Sequence, residues 1–125
     1  MTEKEKDLLV KDLCPRLPYG VMCQVDDGAA GLNDGKLIEI DISKELVRFD
    51  ADYYWDAYID DIKPYLFPMS NMTEEQFKEY WELEHSGDME HLSIPALDWL
   101  NKNHFDYRGL IPMGLAIDAS RLNIY

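Results

Sequence analysis

Cysteine is scarce, with Cys14 and Cys23 the only two thiols in 125 residues. Two thiols exclude a disulfide-stapled scaffold, and alone they do not complete a zinc site, so both are expected to be reduced packing residues. Long apolar runs are missing as well. No stretch reaches the roughly 18 apolar residues of a membrane-spanning helix, and the opening Met1-Thr2-Glu3-Lys4-Glu5-Lys6-Asp7 lacks the basic-then-apolar order of a secretory signal. No membrane association is expected, and a cytoplasmic location follows. Basic residues are few, 12 against 25 acids for a net charge of −13. A field of that sign repels nucleic acid and anionic surfaces, so direct nucleic-acid binding is not expected. Also missing are a Gly-x-Ser-x-Gly nucleophile turn, a phosphate-binding glycine loop and any Cys-His-carboxylate order. The chain is therefore expected to be non-enzymatic, with no catalytic residue and no cofactor.

What is present fits one domain spanning 1–125. The chain has the usual length for one, and 46% apolar residues can fill a core. Charge is unevenly spread: residues 26–61 carry eleven acids against Lys36, Lys44 and Arg48, while residues 1–25 are balanced. The middle of the chain is the acidic part.

Thr2-Glu3-Lys4-Glu5 has the form of a capping box, and Leu8, Leu9 and Leu13 recur at helical spacing. A first helix is predicted to stop near Cys14, ahead of Pro15, with an extended link through Pro18. Tyr19–Val25 turns β-branched and apolar, and 26–35 is turn chemistry. Lys36–Ile42 alternates Ile38, Ile40 and Ile42 against Glu39 and Asp41, the period of a half-solvated strand. Glu45–Phe49 is a third strand candidate. Between Asp50 and Leu66, Trp55, Tyr58, Ile59 and Ile62 fall at i, i+3, i+4 and i+7, which predicts an amphipathic helix with a strand as its rival. Thr73-Glu74-Glu75-Gln76 is a second capping box, followed by an aromatic face of Phe77, Tyr80 and Trp81 up to a stop at Gly87. Ser93 caps a last helix with Pro95 in its first turn, carrying Leu97, Leu100 and His104 on one face and ending near Asn103. Leu115–Asp118 is a short strand or packed tail. The fold class predicted is α+β: a small antiparallel sheet of about three strands against three to four helices, with Ala96–Ala116 as the core module.

Three motifs carry the chain's likeness to known proteins. They are Asp61-Ile62-Lys63-Pro64-Tyr65-Leu66, Pro68-Met69-Ser70-Asn71-Met72-Thr73-Glu74-Glu75, and His104-Phe105-Asp106-Tyr107-Arg108-Gly109-Leu110-Ile111 with Gly114-Leu115-Ala116. With these, and with Leu8–Val21, the chain resembles a family of small proteins from gut anaerobes and their phages or mobile elements, marked by KPYL-PMS-MTEE and FDYRGLI motifs. Phe67 stands where an arginine is usual, and the stretch from Gly87 to Ile94 is short. The resemblance brings no activity and no catalytic residues. It implies an accessory protein of a mobile element acting in a bacterial host cell, a class that often binds and inhibits other machinery.

Four clusters invite chemistry. Asp50-x-Asp52-x-x-x-Asp56 with Asp60 and Asp61 suggests calcium, yet Tyr54 occupies the fifth position, Trp55 the required glycine and Asp61 the bidentate glutamate, so a solvated acidic face is the better reading. Glu82-x-x-His85 and Asp88-x-x-His91 have the helical spacing of di-iron ligands, but Gly87 separates them and the companion glutamates are missing. No metal is expected. His104, Asp106 and Arg108 form a polar cluster better explained by helix capping than by acid-base catalysis.

The fourth is the interleaving of Asp50, Asp52, Tyr53, Tyr54, Asp56, Tyr58, Asp60 and Asp61. Its aromatics cannot all face one core, and tyrosines beside carboxylates suit an interface with a basic protein partner. This is the candidate interaction surface, and a nucleic-acid mimic is its sharpest form. Leftover exposed aromatics also allow a homodimer. The competing readings are a small metal-dependent or hydrolytic enzyme using the histidines, and a small-ligand sponge with a pocket between sheet and helices.

Overall fold

The computed structural model describes residues 1–85 and 93–125. In chain order these form α1 (Glu3–Leu13), β1 (Met22–Asp26), β2 (Leu32–Asp41), β3 (Leu46–Asp50), β4 (Tyr54–Tyr58), β5 (Ile62–Pro68), α2 (Glu74–Glu84), α3 (Ile94–Lys102), β6 (Phe105–Asp106) and β7 (Ile117–Asp118). The sheet runs β4-β3-β2-β1-β5-β6, with β7 also paired to β5. Pairings from β4 to β5 along that order are antiparallel, whereas β6 and β7 lie parallel to β5.

The mixed α+β class stands, but among the described residues the sheet has seven strands and is far larger than the small three-stranded one expected. Most of the difference comes from residues 50–66, expected as a helix with a strand as its rival. They form β4, a 3-10 turn at Ile59–Asp61 and most of β5. Along β4 the burial alternates, Trp55 and Ala57 half-buried between exposed Tyr54, Asp56 and Tyr58, so the period is two and the helical spacing of the aromatics is coincidental. Tyrosine and tryptophan favour strands, and pairing with β3 decides the matter. Pro64 sits inside β5 opposite Cys23.

Three smaller corrections have equally local causes. The face expected from Ile38, Ile40 and Ile42 is broken by an irregularity between Leu37 and Glu39, which puts Leu37 in the core and leaves Ile42 at the surface. The expected extended link after α1 is a 3-10 helix at Cys14–Tyr19 with Pro15 in its first turn. On α2, Tyr80 and Leu83 pack inward while Phe77 and Trp81 stay exposed, so the aromatics do not share one buried face. The capping boxes Thr2/Glu5 and Thr73/Gln76 form as read, as does the Ser93 cap of α3. The expected stop at Gly87 and the Asp88-x-x-His91 pair lie outside the described residues.

Among the described residues two apolar clusters form the core. The larger joins Leu9 and Leu13 of α1 to Val21, Cys23, Val25, Leu37, Val47, Phe49, Ile62 and Leu66, and takes in Leu110, Leu115 and Ala116. The smaller centres on Trp99, Leu100 and Phe105, with Phe67, Tyr80 and Leu83 against it. Leu66 belongs to the first and Phe67 to the second, and successive strand residues point to opposite faces, so β5 is the wall between them. Ala96–Ala116 therefore contributes to both clusters, and the principal core lies on the α1 side of the sheet. Among the described residues no helix is long and apolar enough to cross a membrane.

Candidate interaction surface

β3 and β4 are joined by a tight turn in which the Ala51 N–H donates to the Tyr53 carbonyl at 3.2 Å. Asp52 takes a left-handed φ of 77° there, a conformation aspartate tolerates better than most side chains. At the other end the Ile59 N–H donates to the Glu45 carbonyl at 2.9 Å. These two bonds fix the phase of the ladder. Odd-numbered β4 residues exchange hydrogen bonds with β3, so the N–H and C=O of Tyr54 and Asp56, with the N–H of Tyr58, point away from the sheet. Among the described residues no strand pairs with β4 on that side.

The side chains at this edge are left to solvent. Tyr53 and Tyr54 are each 70% exposed and Tyr58 is 61% exposed. Asp56 is held by Arg48, whose Nε donates at 3.0 Å and whose Nη1 also reaches Glu39 at 3.4 Å, a ladder of three facing residues across β2, β3 and β4. Asp60 is within 3.5 Å of Lys6, which also binds Glu3 at 3.2 Å and Glu45 at 3.3 Å. Hydrogen bonds to Glu3 and Glu45, with the charge of Asp60, push the Lys6 ammonium pKa up. Among the described residues Asp50, Asp52 and Asp61 have no ion-pair partner.

An open groove of about 590 Å³ runs along this region, walled by β4 on one side and by the end of β1 and its following turn on the other. Asp26, Asp27, Asp56 and Asp61 supply its charge, Trp55 and Tyr58 its aromatic surface, and no basic residue lines it. The Asp26 carboxylate caps its own turn by accepting from the Gly28 N–H at 2.9 Å. Asp26 and Asp27 are members that sequence reasoning missed. They look like turn residues and they are, but the curl of the sheet brings that turn across from β4.

The cluster of His104, Asp106 and Arg108 does not converge on a reacting centre. Asp106 is buried and its two oxygens accept from the Leu110 and Ile111 N–H groups at 2.8 and 2.9 Å, closing the loop of the Phe105–Ile111 motif. His104 lies past the end of α3 at φ 62°, stacked on Tyr125 with centroids 3.7 Å apart. Burial, with a smaller contribution from Arg16, lowers its pKa to about 4. Arg108 turns instead toward Asp12, at 3.6 Å.

That contact belongs to a buried ion pair the sequence did not advertise. Asp12 and Arg16 are both fully buried, with Arg16 Nε and Nη2 donating to the two Asp12 oxygens at 2.9 and 3.2 Å and Nη2 also to the Phe105 carbonyl at 2.6 Å. Arg16 lies over the Tyr107 ring, whose hydroxyl donates to buried Asn101 at 2.7 Å. Burial holds the Asp12 carboxyl above its ordinary range against the pull of Arg16. The signal was an i, i+4 pair that persists because the helical winding continues past Pro15.

Of the remaining candidates, the His85 ring stacks on Trp81 at 4.0 Å, and its Nδ1 lies 2.9 Å from the Trp81 carbonyl. Among the described residues no three His, Cys, Asp or Glu side chains are grouped to hold a metal ion. Cys23 is buried, which pushes its thiol pKa up, and Cys14 is exposed where a packing residue was expected. No family model, curated protein or solved structure matches the chain.

Proposed function

We propose that the protein is a non-enzymatic binding module that engages a basic segment of a partner protein through β4 and its flanking turns. The observation that carries this is the edge position of β4, where Tyr54 and Tyr58 stand exposed beside a groove lined by four aspartates. Tyrosine offers large contact area at little entropic cost, and a one-signed groove steers an oppositely charged partner. On β4 a single carboxylate, Asp56, stands between Tyr54 and Tyr58, an arrangement suited to a short basic segment more than to a phosphate-spaced array. The family resemblance of the Lys63–Glu75 and Phe105–Ile111 motifs supports an inhibitory or accessory role for a mobile element inside a bacterial cell.

Affinity capture from host lysate, run in parallel with the Asp27→Asn/Asp52→Asn/Asp61→Asn variant, tests the reading. A specific partner with a basic surface, released by salt and lost with the variant, is expected. Identical partners for both proteins would sink it.

A further inference from the structure

The geometry points to β-strand addition: we propose that the basic partner segment binds as an extended strand, laid in the groove and hydrogen-bonded to the open edge of β4. This rests on the binding-module reading and specifies its mode.

Buried or sheet-bound N–H and C=O groups are normally paired, and a flat edge with unpaired groups is a template for another chain. The outward groups of Tyr54, Asp56 and Tyr58 form such a template along the whole of β4. The two sides of the strand then dictate the partner's sequence. Tyr54, Asp56 and Tyr58 project to the solvent face, so facing partner residues need cationic side chains, paired to Asp56 and laid over the tyrosine rings. Half-buried Trp55 and Ala57 project to the core side, where apolar partner residues extend the larger cluster. The occupant is thus a segment that alternates basic and apolar residues. A second copy of this chain does not meet that description, since pairing β4 with β4 would face Asp56 and the aspartates flanking each strand with their own kind.

A short peptide alternating lysine and valine is the probe, compared with the same peptide N-methylated at every second amide, which keeps its charge and removes half its donors. Titration by fluorescence anisotropy against the full chain is expected to show binding of the first and at least about tenfold weaker binding of the second. On the protein side, Tyr58→Pro deletes one outward N–H at a residue whose φ of −79° proline accepts. It should weaken binding by about tenfold relative to Tyr58→Ala. Amide exchange should slow at residues 54, 56 and 58 when the peptide is added. Equal binding by both peptides overturns strand addition and leaves the acidic-surface reading standing. No binding of the unmethylated peptide at low salt overturns both, and exchange protection of those amides in a peptide-free dimer overturns the choice of occupant.

Discussion

The β3–β4 hairpin and the α1–β6 junction are built from the same materials, aspartate, arginine and tyrosine, and solvate them in opposite ways. At the junction Asp12 and Arg16 are fully buried, bonded to each other and to the Phe105 carbonyl, under a tyrosine whose hydroxyl is also bonded. At the hairpin Tyr53, Tyr54 and Tyr58 stand in water, and the Asp56–Arg48 pair is half-exposed on both sides. Exposed pairs of that kind contribute about 0–1 kcal/mol, while stripping a buried charge of its partner costs about 3–5 kcal/mol. Charge and aromatic density alone do not mark a functional surface. What separates the two is how far the protein itself already satisfies the groups: at the junction both Asp12 oxygens and Arg16 Nε and Nη2 are bonded, and Arg16 Nη1 is left without a partner.

The sharpest way to break that contrast is at Arg16. Arg16→Met leaves Asp12 buried without its main partner and is expected to lower stability by about 3–5 kcal/mol in urea unfolding. The double replacement Asp12→Leu/Arg16→Met should recover much of the loss, because neither charge of the pair is then left in the interior. A cost below about 1 kcal/mol for the single change would mean that the pair is solvated in solution and that the two regions do not differ as described.

How far the sequence reveals this division depends on the range of the forces involved. Helix starts were legible because a cap is a local event, settled within four residues at Thr2–Glu5, Thr73–Gln76 and Ser93–Ala96. The sheet was not. Trp55, Tyr58, Ile59 and Ile62 satisfy a helical period by chance, and only pairing with β3, set by contacts outside the segment, selects the strand. β6 and β7 are two-residue strands whose parallel pairing to β5 has no sequence period at all. At the candidate surface, the aspartates from Asp50 to Asp61 were legible as a solvated face, and the tyrosines beside them only as a group that could not all face one core; Tyr58, placed on the apolar face of the expected helix, is exposed. The division of the aspartates was not legible: Asp60 answers to Lys6 of α1 and Asp56 to Arg48, while Asp26 and Asp27 join from across the groove. Residues far apart in the chain meet there through the curl of the sheet.

A second, smaller effect comes from His104, at the edge of the buried region. Folded His104 stays neutral down to about pH 4, whereas in the unfolded chain it takes up a proton near the ordinary 6.5. The unfolded state thus binds more protons between those values, and stability falls as pH drops through that window and is unaffected by this group above it. The gap corresponds to about 3 kcal/mol for a fully shielded ring, which solvent screening of a partly exposed side chain reduces to roughly 1–2 kcal/mol. His104→Asn keeps a residue that tolerates the left-handed backbone and removes the titration. The wild-type urea midpoint should fall relative to the variant's as pH drops from about 6.5 toward 4, and parallel curves would show that His104 is solvated.

The smallest stability effect is expected at the hairpin, and it carries the most information about function. Tyr54→Thr and Tyr58→Thr keep a residue that favours strands and remove only the exposed ring. If the rings are not part of the fold's own packing, each change shifts unfolding free energy by no more than about 0.5 kcal/mol. The affinity for a lysine–valine peptide should nevertheless drop by about tenfold, because the ring is then lost from the contact it serves. Loss of stability comparable to that of a core truncation such as Phe49→Ala, about 3–5 kcal/mol, would reassign these tyrosines to the scaffold. Preserved stability together with weakened binding is the pattern that a surface held ready for a partner requires, and it is the inverse of what the Arg16 replacement should show.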